Sequence, residues 1–90
     1  MKVVREVKVK NVLGLHIRPA TSIVRLLQVS KSSVHFTYKK VNINARSIMS
    51  ILMLVAKKNS KIIITVEGAD AIQTMDQLMC AFENRFGEDK

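Results

Sequence analysis

Features that would place this 90-residue chain in an oxidising or membrane environment are scarce or missing. The single cysteine, Cys80, cannot form a disulfide within the chain, so the fold is not built around cross-links. No apolar run reaches the roughly 18 residues that cross a bilayer, and the opening MKVVREVKVK is too charged for a signal peptide. These absences predict a cytoplasmic protein with no membrane insertion.

Aromatic and acidic residues are also few. Aromatics make up 4% of the chain, and 15 Lys and Arg against 7 Asp and Glu give a formal net charge of +8. Such an excess suits acidic partners, whether nucleic acid, anionic surfaces or acidic proteins. Because the aromatics are not interleaved with basic residues, a base-stacking surface is not indicated. With no linker rich in Gly, Ser or Pro, the sequence predicts one domain over residues 1–90.

The apolar residues that are present predict seven structural elements. Alternation predicts strands over about residues 3–10 and over SVHFTY and VNIN, with Lys39-Lys40 as the turn between the second and third. The short, β-branched run KIIITVE predicts the fourth strand. Helical spacing follows His16, Ser47 and Asp70. The order β-α-β-β-α-β-α predicts an α+β open-faced β-sandwich, in which three helices cover one face of a four-stranded antiparallel sheet.

Each helix is expected to turn an apolar stripe towards the sheet. Lys57 and Lys58 are expected at the end of the second helix, and Asp70 with Gln73 resembles a capping box at the start of the third. The predicted inward residues are Ile17, Ala20, Ile23, Val24 and Leu27 in the first helix, Ile48, Ile51, Leu52 and Val55 in the second, and Ile72, Met75, Leu78, Met79, Phe82 and Phe86 in the third.

The stretch NVLGLHIRPA places a histidine where a strand pattern stops and a helix pattern begins. Pro19 falls in the first helical turn, where a missing amide proton costs nothing, so His16 lies at or next to the N-cap. The amides and dipole of a helix start form an anion site, most often for phosphate. That positive end favours a neutral imidazole with a lone pair, and Arg18 can donate hydrogen bonds to phosphoryl oxygens. The stretch therefore predicts a place that accepts and releases phosphate.

Other interpretations of His16 stay open from the residues alone. A histidine near a helix start is often only a polar capping residue. A metal site is not predicted, because the other histidine, His35, lies on a different predicted strand and no cluster of metal-binding residues has ligand spacing. Nucleotide-binding motifs and a nucleophile elbow are missing from the sequence, so no cofactor is expected.

Three motifs, GLHIRPA, ARSIM and EGAD, resemble the HPr family over nearly the whole chain. HPr proteins are the histidine-containing phosphocarriers of the bacterial phosphoenolpyruvate-dependent phosphotransferase system. The resemblance implies a stoichiometric carrier rather than an enzyme, whose His16 accepts the phosphoryl group on Nδ1 from phosphorylated enzyme I and passes it to an enzyme IIA domain. Arg18 would stabilise the group in transit, and we expect a monomer. The residues implied at the phosphate site and helix mouth are Gly14, Ile17, Pro19 and Ala20.

Ser47 has two interpretations. As an N-cap it would stabilise the second helix by about 1 kcal/mol. The ARSIM motif also resembles the regulatory serine site of family members that are substrates of HPr kinase/phosphorylase, which implies that phosphate on Ser47 would slow transfer to His16. Several residues depart from the family pattern. Ser50 and Val55 stand where some relatives have glycine, Leu13 replaces a small or polar residue near the phosphate, and Lys39-Lys40 replaces an Asn-Gly-like turn.

The apolar residues around Ser47 exceed what one inward stripe can use. Exposed methionines suit a surface that binds several partners in turn, and the resemblance implies docking on the first two helices. The alternative is that Met49 and Met53 complete the core. The predicted partner-docking residues are Thr21, Val24, Arg25, Ile48, Met49, Leu52 and Met53.

Three functions follow from these patterns. The first is a phosphocarrier for sugar uptake. The second is a regulatory HPr-like protein, in which phosphorylation of His16 or Ser47 controls binding to an enzyme or a transcription factor. The third, favoured only by the charge, is a basic nucleic-acid-binding domain.

Overall fold

The computed structural model describes residues 1–89 and contains four strands and three α-helices. The strands are β1 (Lys2–Lys8), β2 (Ser33–Tyr38), β3 (Val41–Asn44) and β4 (Lys61–Glu67). The helices are α1 (Ile17–Leu27), α2 (Ile48–Met53) and α3 (Ala71–Glu83), and a 3-10 turn over Arg85–Gly87 follows α3. No helix within the described residues is long and apolar enough to cross a membrane.

The strands form one antiparallel sheet in the order β1-β4-β2-β3. Alternate residues of β4, namely Ile62, Ile64 and Val66, are fully buried beneath the helices. Phe36 of β2 pairs with Ile64 in the register and is buried on the same face. α3 packs across β1 and β4, while α1 lies against both α3 and α2. The predicted open-faced sandwich is therefore confirmed.

Several predicted inward residues are exposed at the ends of the helices. Ile17 is 61% exposed because the buried stripe of α1 starts only at Pro19 and Ala20. Ile72 is 54% exposed on α3. Phe86 lies beyond α3, where its ring packs edge-to-face on Phe82 at 4.9 Å between centroids. The inward predictions for Ile17 and Ile72 were wrong, because periodicity alone does not show where a helix leaves the sheet. Phe86 packs against the core as predicted, but it lies outside the helix.

α2 is shorter than its apolar pattern predicts. It ends at Met53, and Val55 has a left-handed φ of +51° with a side chain that is 66% exposed. Lys57 and Lys58 lie in the connection to β4, so they do not meet the negative end of the helix as predicted. The helix stops because a left-handed residue cannot continue the right-handed hydrogen-bond pattern.

Asp70 is the N-cap of α3, but the predicted capping box does not form. Its carboxylate turns away from α3 and accepts hydrogen bonds from the Lys31 amide at 2.9 Å and from the Ser32 hydroxyl. The Ser30 hydroxyl is a further donor, at 3.4 Å. Asp70 therefore ties the start of α3 to the loop between α1 and β2.

Candidate functional site

The loop before α1 is held in place by a close backbone contact. Gly14 has φ +67°, and a Cβ atom there would lie 2.2 Å from the Ala56 carbonyl oxygen. That same oxygen accepts a hydrogen bond from the Leu15 amide at 2.9 Å. Only glycine fits such an approach at a positive φ, so Gly14 fixes the position from which His16 enters the helix.

His16 occupies the N-cap position of α1, as the sequence predicts, in an extended conformation with φ −79° and ψ −170°. Its side chain makes no capping hydrogen bond to the helix. The interpretation of His16 as a mere capping residue is therefore wrong. The imidazole is 25% exposed and lies at the surface, beside the amides of the first turn.

A carboxylate from the far end of the chain contacts the imidazole. Both Glu88 carboxylate oxygens lie within hydrogen-bond reach of His16 Nε2, at 3.1 Å and 3.0 Å. Among residues 1–89, the hydrogen bonds of His16's ring all involve Nε2, so Nδ1 has no partner there. The side chain of Glu88 is 13% exposed, so the contact is partly buried.

Glu88 is itself held by Asn11 and stays ionised. The Asn11 side-chain amide donates to Glu88 Oε1 and, at 2.8 Å, to the Arg85 carbonyl oxygen. Although burial raises the pKa of the Glu88 carboxyl, hydrogen bonds from His16 and Asn11 and the charges of His16 and Arg18 lower that pKa overall. The site therefore contains a fixed negative charge against the imidazole.

Arg18 lies one residue beyond Ile17 and is 78% exposed. Its Nε is 4.0 Å from Glu88 Oε2, which is an ion pair but too long for a hydrogen bond. Its guanidinium donors thus face an open cleft of about 470 Å³ beside the imidazole. The cleft is lined by Val12, Leu13, His16, Arg18, Gly87, Glu88 and Asp89.

α2 lies beside α1 and begins with the predicted cap. The Ser47 hydroxyl accepts a hydrogen bond from the Ser50 amide at 3.2 Å, so the capping prediction is confirmed. The preceding Arg46 donates to the carbonyl oxygens of Leu27 at 2.6 Å, Ser30 at 2.9 Å and Ser32 at 2.6 Å. Arg46 therefore joins the end of α1 to the start of α2 through three hydrogen bonds.

The predicted docking residues fall on neighbouring parts of α1 and α2. Met49 and Met53 are 68% and 73% exposed, so the alternative that they complete the core is wrong. Leu52 and Val55, with Leu13, line a second hollow that also contains His16. Of the other predicted docking residues, Arg25 is exposed and Thr21, Val24 and Ile48 are half-buried.

The predicted phosphate-site residues divide into exposed and buried positions. Ile17 is exposed beside His16, and Gly14 is buried within the loop before α1. Pro19 and Ala20 are buried on the inner side of α1, so their side chains do not shape an exposed helix mouth as predicted. They instead anchor the first turn to the core.

Two residues at the site were missed from the sequence. Glu88 is 72 residues from His16, in a segment with no apolar periodicity, and nothing in the sequence signals that it folds back. Asn11 lies in the stretch that drew attention to His16, but its role depends on Glu88. The one available signal was Gly87, which permits a sharp turn after α3.

Comparison with known proteins gives a consistent result. A family model described as PTS HPr component phosphorylation site matches residues 3–84. The phosphocarrier protein HPr of Chlamydia pneumoniae is 46% identical over 80 residues, covering 89% of this chain and 74% of that protein. HPr of Xylella fastidiosa is 36% identical over 84 residues, covering 93% and 94%. The crystal structure of HPr-C-His from Thermoanaerobacter tengcongensis superposes with a TM-score of 0.93 at 28% identity, covering 98% and 99%.

Proposed function

The chain belongs to the HPr family of phosphocarriers of the bacterial phosphotransferase system, and on this premise we propose that His16 carries the phosphoryl group on Nδ1. The observation that supports this assignment most directly is the geometry of the ring. Nε2 is engaged by Glu88, whereas Nδ1 has no partner among residues 1–89. The ring also stands at the start of α1, where first-turn amides favour an anion.

The transfer needs few groups from this protein. The Nδ1 lone pair attacks the phosphorus on phosphorylated enzyme I, the bond from phosphorus to that donor breaks, and its electron pair returns to the donor. Arg18 donates to the phosphoryl oxygens as they pass, which lowers the free energy of the charged transition state. The second transfer, to an enzyme IIA domain, repeats these events with His16 as the donor.

A phosphocarrier should bind the phosphoryl group only weakly, because it must pass that group to the next protein. As an HPr phosphocarrier, this protein is a non-catalytic component of the relay. Tight binding of the phosphoryl group would lower its transfer potential and slow delivery. The open cleft and the highly exposed Arg18 suit a group that is held loosely and handed on.

The partners would dock on the apolar surface around the site. Met49, Met53, Val55 and Ile17 present exposed apolar side chains next to His16 and α2, and exposed methionines adapt to different partner surfaces. Enzyme I and enzyme IIA domains would use this surface in turn. The lone cysteine, Cys80, supports the further proposal that the relay operates in the cytoplasm.

The test is intact mass after incubation with phosphoenolpyruvate and a bacterial enzyme I. The wild-type protein should gain one phosphate that mild acid removes, and His16→Ala should gain none. His35→Ala serves as the control, since it removes the other histidine, on the open face of the sheet, and should keep the gain. A folded wild type that gains no phosphate would overturn the proposal.

We also propose that Ser47 is a regulatory phosphorylation site for HPr kinase/phosphorylase. Its hydroxyl is half-buried at the start of α2, and the neighbouring Arg46 is occupied by three carbonyl oxygens. A phosphate there would add close to two negative charges beside the docking surface and repel acidic partners. Ser47→Asp should therefore slow phosphorylation of His16 relative to Ser47→Ala in the same assay. Equal rates for the two variants would contradict regulation by charge.

A further inference from the structure

The segment after α3 folds back across the site through an unfavourable backbone path. Arg85 and Phe86 both have φ +54°, and Gly87 has φ +82°. Two consecutive non-glycine residues in the left-handed region are unfavourable, and such a path persists only when surrounding contacts hold it. Tertiary contacts must therefore hold the backbone of Arg85 and Phe86 in this conformation.

Two sets of contacts hold the segment in this path. The Phe86 ring packs edge-to-face on Phe82, a buried core residue. Asn11, which is fully buried, uses its side-chain amide on the Arg85 carbonyl oxygen and on Glu88 Oε1. The carboxylate is thus delivered to the imidazole by a built arrangement rather than by a loose surface contact.

The contact defines which imidazole nitrogen carries the proton. An ionised carboxylate can only accept hydrogen bonds, so Nε2, at 3.0 Å, must be the nitrogen that donates. In the neutral ring, Nδ1 is then the nitrogen with the lone pair. Arg18 Nε lies 4.0 Å from Glu88 Oε2, so the guanidinium is close to the carboxylate but is not hydrogen-bonded to it.

We propose that Glu88 is a positioning residue for phosphoryl transfer, which rests on the proposed function of His16. It holds Nε2–H, so that the Nδ1 lone pair faces the incoming phosphorus. When the Nδ1–P bond forms, the Nε2 proton stays on the ring, which acquires a positive charge. The Glu88 carboxylate offsets that charge at hydrogen-bond distance, and it does the same when the phosphoryl group leaves.

The kinetic test uses phosphorylation by enzyme I with three variants of the full chain. Glu88→Ala removes both the acceptor and the charge, and Glu88→Gln keeps an acceptor oxygen for Nε2–H without the charge. We expect Glu88→Ala to lower kcat by about tenfold with KM little changed, and Glu88→Gln to fall between it and wild type. Glu6→Gln is the matched control, since Glu6 is an exposed carboxylate on β1 that does not line the cleft, and it should transfer at the wild-type rate.

A spectroscopic readout tests the contact without any phosphoryl donor. In ¹⁵N-labelled wild type, the Nε2–H proton of His16 should give a resolved NMR signal protected from exchange with water, which Glu88→Ala loses and Glu6→Gln keeps. A folded Glu88→Ala that is phosphorylated as fast as wild type would overturn the proposal. A faster rate would also overturn it, because Glu88 would then slow the transfer. Wild type that shows the protected proton but gains no phosphate would instead overturn the carrier assignment on which the proposal rests.

Discussion

At the scale of single residues, the sequence revealed the parts of the site that lie together in the chain. His16 and Arg18 could be predicted because the chemistry of a helix start needs only adjacent residues. Glu88 and Asn11 could not, since their roles arise from a fold-back of the last residues that no local pattern encodes. Met49 was predicted to be exposed because the second helix has more apolar residues than one inward stripe can use, and its side chain is indeed exposed.

Val55 offers a prediction at this scale. A β-branched residue at φ +51° is strained, and its side chain is mostly exposed, so little packing is lost on removal. Val55→Gly should raise the free energy of unfolding by about 1 kcal/mol, because relief of the strain exceeds the entropy that glycine adds to the unfolded chain. Urea titration of both proteins measures the difference.

Val29→Gly is the matched control for this change. Val29 is 81% exposed and lacks a positive φ, so glycine there relieves no strain and should not stabilise the protein. A Val55→Gly protein that is less stable than wild type would show that the Val55 side chain contributes more than its exposure indicates.

At the scale of elements, the strands were easier to predict than the helix ends. β4 was predicted in full because KIIITVE is a short run rich in β-branched residues, and every second residue of the strand is buried. The turn at Lys39-Lys40 was also predicted, although both residues take the positive φ that lysine disfavours, at 48° and 67°. The end of α2 was misjudged because the left-handed Val55 stops the helix. The start of α3 was predicted at Asp70, but the expected capping box is replaced by hydrogen bonds to Lys31 and Ser32.

Asp70 gives a prediction about acid stability. Hydrogen bonds from the Ser32 hydroxyl and then the Lys31 amide lower the pKa of Asp70 below its ordinary value, despite some opposing desolvation. Its stabilising contribution is therefore complete above the ordinary pKa and is lost as the pH falls through that value towards the folded one. Between about pH 5 and pH 2, the free energy of unfolding should fall less steeply for Asp70→Asn than for wild type.

Chemical denaturation at a series of pH values tests this expectation. Asp76→Asn supplies the comparison, because Asp76 is an exposed carboxylate on the same helix and makes no hydrogen bond through its side chain among residues 1–89. Its curve should run parallel to the wild-type curve. Parallel curves for all three proteins would show that the contacts of Asp70 do not favour its ionised form.

At the scale of the whole molecule, charge alone was a poor guide to function. A net charge of +8 is compatible with nucleic acid, but Phe36 and Phe82 are buried, and Tyr38 and Phe86 are half-buried. No aromatic ring within residues 1–89 is therefore fully exposed for stacking on bases. The charge suits instead the attraction of acidic protein surfaces to a docking face whose contacts are apolar.

The position of the C-terminal segment also decides how the protein can be attached to a surface or a dye. The Met1 carbonyl accepts from the Gly68 amide where β1 begins, and the strand then runs for seven residues, or roughly 20 Å, before the loop that leads to His16. A linker placed ahead of Met1 leaves the histidine open to large partners. A dye or linker attached through the side chain of Asp89, which lines the cleft, would crowd Glu88 and slow the transfer that the sensor is meant to report.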